Sequence, residues 1–85
     1  MNSGDRAAIL SAVAEQMISL RTTRGLDLEF VADLAHLEPE RLAEAEDGAI
    51  ALNEEELQRL ADVYEVSVTA FFGGRVTPMN YLFGV

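Results

Sequence analysis

The stretch "LDLEFVADLAHLEPERLAEAEDG", residues 26–48, decides the fold. Its apolar residues recur in two short helical runs. Leu28, Val31, Ala32 and Ala35 share the inner face of one helix, for which Asp27 is the capping residue. Leu42 and Ala45 point inward from the next, which opens at Glu38 and Pro39 and ends near Gly48. Only about three residues separate the two runs, a spacing that predicts a helix-turn-helix.

The flanks extend the same pattern. Upstream, residues 6–23 set Ile9, Leu10, Val13, Met17 and Leu20 at helical spacing, and Gly25 is placed to end that helix. Downstream, Asn53 caps a fourth helix, with Glu56 as the reciprocal half of a capping box and Glu54 and Glu55 favoured by the helix dipole. Leu57, Leu60, Ala61 and Tyr64 form its buried side, and Ser67 starts a short fifth helix through "VTAFF" that Gly73 and Gly74 terminate. The expectation is an all-α domain over residues 1–74, followed by an apolar tail at 75–85.

Composition bounds the function. A chain of 85 residues forms one small domain, for which dimerisation is a natural way to bury more surface. It has no cysteine, so disulfides and thiolate metal sites are excluded and a reducing, cytoplasmic setting is expected. The start "MNSGDRAAIL" does not read as a signal peptide, and no run approaches the ~20 apolar residues of a membrane span. The formal charge is −9, with arginine supplying all the positive charge. Nucleic-acid binders ordinarily have the opposite sign.

Taken together, "LRTTRGL", "LEFVADLA", "LEPERLAEAEDG" and "LQRLADVYEVSVTAFF" resemble the lambda-repressor/Cro-like, or XRE-type, helix-turn-helix family, over about Val13 to Phe72. The resemblance implies a five-helix fold, a homodimer and DNA contact through the third helix. It also implies that Arg21 and Glu46 form an ion pair tying helix one to the third helix, which makes Arg21 structural.

Against that family's chemistry the chain departs in charge. Where family members carry donors for phosphates and base edges, this sequence has Leu28, Pro39, Glu40 and Glu44. Arg41 is the sole basic residue between Leu26 and Gly48, against Asp27, Glu29, Asp33, Glu38, Glu40, Glu44, Glu46 and Asp47. Glu38, Glu40, Arg41 and Glu44 therefore define a candidate face that is acidic, with few cations for counterion release. Arg6, Arg24 and Arg41 are the remaining candidates for phosphate contact. His36 stands at a turn position often held by glycine, and the small Ala45 replaces a larger aliphatic, so a differently seated third helix is an open reading.

Two apolar features lie outside this scheme. Phe30 and Leu34, four apart, form a ridge about 100° from the direction of Val31 and Ala35, and with Leu28 they make a candidate contact ridge on the second helix. Ile18 is similarly out of phase on helix one. The tail "RVTPMNYLFGV" carries Val76, Met79, Tyr81, Leu82 and Phe83, too apolar for a solvated extension. Docking on its own domain, exchange across a dimer and insertion into a partner all remain open.

Catalysis finds no constellation: one histidine, no cysteine, and no serine beside a plausible base. His36 with Glu38 or Glu40 is a weak basis for a metal site, and no phosphate-cradling glycine loop is present. No enzyme, cofactor, metal or membrane is expected. Two functions remain, a regulator that binds an operator as a homodimer and a protein-contact module whose acidic face meets a basic protein partner. The charge favours the second.

Overall fold

The computed structural model describes residues 3–73. Four α-helices, α1 (Ser3–Thr23), α2 (Leu28–Leu34), α3 (Pro39–Glu46) and α4 (Glu54–Tyr64), are followed by a 3₁₀ helix (Val68–Phe72). No strand occurs among the described residues. Helix α1 begins earlier than its apolar pattern, and the expected fifth α-helix is a 3₁₀ segment. Five residues between Ser67 and Gly73 are too few for more than a tight turn and a half once Phe71 and Phe72 are both drawn inward.

The helices pack around one core. Val13 and Met17 of α1, Val31 and Ala32 of α2, Leu42 of α3, Leu57, Leu60 and Tyr64 of α4, and Phe71 of the 3₁₀ helix are fully or almost fully buried. Leu52, in the loop before α4, joins them and anchors that loop. Ala45 is also in the core, and the chain just beyond it runs close to α1: a Cβ placed at Gly48 would lie 3.6 Å from the Ser11 Cα. The small residues at 45 and 48 thus let the end of α3 approach α1 closely.

All four α-helices end in the same way. At Gly25, His36, Gly48 and Glu65 the backbone turns left-handed, with φ between 57° and 74°. In each case the following amide reaches back five residues, as in Leu26 N–H to Arg21 O (3.1 Å), Leu37 to Ala32 (2.8 Å), Ala49 to Glu44 (3.0 Å) and Val66 to Ala61 (3.0 Å). These are Schellman closures, which satisfy the last carbonyls of a helix. Glycine adopts that φ freely, whereas His36 and Glu65 adopt it against the strain of a Cβ.

The helix starts are less uniform. Asn53 accepts from the Glu56 amide (2.8 Å) while the Glu56 carboxylate accepts from the Asn53 amide (2.9 Å), completing the capping box. Asp27, Glu38 and Ser67 occupy cap positions but make no side-chain capping bond. Ser67 instead shares a hydrogen bond with the Thr69 hydroxyl at 2.6 Å.

Candidate interaction face

Helices α2 and α3, joined through Ala35–Glu38 with Leu37 buried beneath the turn, form the helix-turn-helix unit. Its inner side is set by Val31, Ala32, Leu42 and Ala45, so the remaining side chains of α3 must face outward. Glu38, Glu40, Glu44 and Asp47 are all exposed there, as are Glu29 and Asp33 on α2. Glu38 and Glu40 put carboxylates at the positive end of α3, where a helix of this kind otherwise attracts an external anion.

The fate of the arginines completes the electrostatics. Arg21 donates from both Nε and Nη2 to the Glu46 carboxylate, at 2.8 and 2.9 Å, and from Nη1 to the Leu26 carbonyl at 3.0 Å. Hydrogen bonding to Glu46 raises the Arg21 pKa above its ordinary value despite partial burial. Arg24 donates to the carbonyls of Leu20 (2.9 Å) and Tyr64 (3.0 Å) and lies over the Tyr64 ring, 5.7 Å from its centroid. Arg59 donates to the Ala35 carbonyl at 2.7 Å and pairs with Glu55 at 2.6 Å.

Arg41 matters most, being the only cation on α3. It folds back onto α4 and pairs with Glu56 through Nε and Nη2, at 2.6 and 2.8 Å. Glu56 therefore serves a capping amide and a guanidinium together. The hydrogen bonds from Arg41 are the main reason its carboxyl sits below the usual carboxylate range, against the upward push of burial.

Arg24 and Arg41, candidates for phosphate contact on sequence alone, are thus hydrogen-bonded to other parts of the chain while still reaching solvent, and Arg6 also has an intramolecular interaction. Backbone carbonyls and the carboxylates of Glu46, Glu55 and Glu56 accept from Arg21, Arg24, Arg41 and Arg59. The Arg41–Glu56 pair and the role of Arg59 escaped sequence reasoning. Glu56 was legible as half of a capping box, but nothing in the spacing shows that the same carboxylate also faces α3.

The ridge on α2 divides. Phe30 and Leu34 are 53% and 49% exposed, and Ile18 on α1 is 38% exposed. Leu28 does not belong with them, because it is half-buried and packs against the core, as its helical phase with Val31 and Ala35 requires. Beside Leu34 lies an open groove of about 330 Å³ lined by Leu34, His36, Arg59, Asp62 and Val63. Val76, Met79, Tyr81, Leu82 and Phe83 of the tail lie outside the described residues. No cluster of three or more His, Asp or Glu residues that could hold a metal ion occurs among the described residues.

With this geometry in place, the chain is similar to the crystal structure of an HTH_3 family transcriptional regulator from Vibrio cholerae. The fold is lambda-repressor-like. The match has a TM-score of 0.75 at 30% sequence identity and covers 82% of this chain. It spans 39% of the Vibrio protein, so the likeness concerns the helix-turn-helix domain and leaves most of the larger protein without a counterpart. No family model matches the sequence, and no curated protein matches it. No helix among the described residues is long and apolar enough to cross a membrane.

Proposed function

We propose that this chain is a small, non-enzymatic regulatory protein of the XRE type that uses its helix-turn-helix as a protein-contact module in transcriptional or related regulation. The observation that carries the reading is the pairing of Arg41 with Glu56, which leaves α3 facing outward through Glu38, Glu40 and Glu44. A partner with a basic face, such as a protein that itself binds nucleic acid, meets in these carboxylates a substitute for phosphates. Charge complementarity steers and orients such an encounter, while the apolar ridge and the tail residues supply area for affinity. The setting proposed is cytoplasmic, with a homodimer as the working unit.

Operator binding by a homodimer is the second reading, favoured by the likeness to a protein described as a transcriptional regulator. Charge reversal separates the two. The unaltered protein is expected to retain no duplex from a fragmented genomic DNA pool even at low salt. Glu40→Lys with Glu44→Lys is expected to create salt-sensitive DNA affinity in a folded protein, since each added cation brings one further phosphate within reach of counterion release. Retention of discrete fragments by the unaltered protein near physiological salt overturns the protein-contact reading in favour of operator recognition.

A further inference from the structure

Among the described residues, Phe30 and Leu34 are the two most exposed of the large apolar side chains, and they stand one helical turn apart on α2. Each is preceded by an exposed acid, Glu29 and Asp33, so an apolar row and an acidic row run side by side along the helix. The groove of about 330 Å³ beside Leu34 continues the apolar row to Val63 on α4, and the exposed Asp62 lines it as well. Arg59, the arginine in its wall, is committed to Glu55 and to the Ala35 and His36 carbonyls, at 2.6, 2.7 and 3.4 Å. The surface is thus apolar along its middle and acidic at its edge.

These features restrict what can cover it. A second copy presenting the same face sets Glu29, Asp33 and Asp62 near their own kind in a chain of net charge −9, and nucleic acid meets the same repulsion. An extended peptide needs free main-chain groups to pair with. No strand occurs among the described residues, the Ala35 and His36 carbonyls already accept from Arg59, and the amides of Ala35, His36 and Leu37 donate back into α2. An occupant therefore has to satisfy its own backbone, which a helix does.

We propose that the Phe30–Leu34 ridge and its groove seat an amphipathic helix of a partner protein, with apolar side chains on the ridge and lysine or arginine against Glu29, Asp33 and Asp62. Such a site rests on the protein-contact reading and gives the partner's chemistry: a helix with apolar residues at i, i+3, i+4 and i+7, flanked by bases. The apolar row supplies affinity, and the acids select a basic helix over an acidic one.

The probe is a synthetic peptide of ~18 residues, long enough to hold a helix, with leucines at that spacing and lysines on either side. One control peptide carries glutamates in place of the lysines, and another carries serines in place of the leucines. Each is titrated into the isotope-labelled full chain and followed through the backbone amide resonances. The lysine–leucine peptide is expected to bind at least about tenfold more tightly than either control, with its largest shifts at residues 29–36 and 59–63.

Two variants locate the contact. Phe30→Ser with Leu34→Ser, both at exposed positions, is expected to weaken binding by about tenfold or more. Glu29→Lys with Asp33→Lys keeps the apolar row and is expected to reverse the preference between the lysine and glutamate peptides. Equal binding of the serine control, shifts confined to residues 38–47, or no binding of any peptide overturns the site. The genomic DNA assay bears on the α3 face instead. Discrete fragments retained there overturn the protein-contact reading whatever the peptides do, whereas a lysine–leucine peptide that misses the ridge overturns this site alone.

Discussion

Arg21 and Arg41 form the same bond with opposite consequences. Each presents a guanidinium side-on to a glutamate, Glu46 and Glu56 respectively, with two contacts between 2.6 and 2.9 Å. The first pair is largely enclosed, with side chains 18% and 6% exposed, and bridges the end of α1 to the end of α3. The second is half open, with Arg41 41% and Glu56 11% exposed, and bridges the outer edge of α3 to the start of α4. The enclosed pair holds the helix-turn-helix in place. The open pair ties the only cation that α3 possesses to a carboxylate of α4, which is the feature on which the proposed protein-contact reading rests.

The largest expected effect comes from breaking the enclosed pair. Glu46→Ala leaves the Arg21 guanidinium partly buried beside the Leu26 carbonyl with no counter-charge, a loss of about 3 kcal/mol on the scale of broken buried pairs. In a domain of this size that corresponds to a fall in Tm of roughly 10–20 °C by calorimetry. A fall of only a degree or two shows that the two pairs do not differ in kind and that solvent screens both.

Glu56→Gln tests the open pair, with a smaller loss of about 1–2 kcal/mol once the exposed Arg41 is discounted for screening and the cap is weakened. Its pH dependence has a fixed sign. Because the Glu56 carboxyl lies below its ordinary 4.5 in the folded protein, its contribution is complete at neutral pH. It begins to fade as pH drops below about 4.5, and is lost as pH falls through the lowered folded value. Urea titrations from pH 7 to pH 2 are expected to show a shallower acid limb in the variant. The same substitution releases Arg41, so duplex DNA retention at low salt is expected to rise; an unchanged acid limb with unchanged retention removes the pair from any account of the face.

How far such differences can be read in sequence depends on the reach of the interaction. Helix phase is local, so the inner faces of α2, α3 and α4 follow from apolar spacing, and the capping box at Asn53 and Glu56 follows from a three-residue interval. The Arg21–Glu46 pair spans 25 positions and was accessible only through family resemblance. The Arg41–Glu56 pair spans 15 positions, depends on the path of the loop after Gly48, and carries no local signal. For the candidate face, then, the acids were legible and the sequestration of the cation was not. Leu28 falls on the legible side of that limit, because its phase with Val31 and Ala35 already turns it toward the core and away from the ridge of Phe30 and Leu34.

The smallest expected effect concerns the left-handed closures that frame these helices. Gly25 and Gly48 announce the ends of α1 and α3, whereas His36 and Glu65 stand in the same conformation with nothing in the sequence to mark Glu65. A Cβ in that region costs on the order of 1–2 kcal/mol, offset for glycine by about 0.5–1 kcal/mol of extra unfolded-state entropy. His36→Gly and Glu65→Gly are each expected to stabilise the fold by roughly 0.5 kcal/mol, a rise of a few degrees in Tm. The two differ in what else they touch. Glu65→Gly removes one acid away from α3, while His36→Gly also strips a side chain from the groove beside Leu34. A gain at 65 with a loss at 36 therefore means that the imidazole makes contacts in that groove worth more than its backbone strain, and equal gains mean that the groove tolerates its removal.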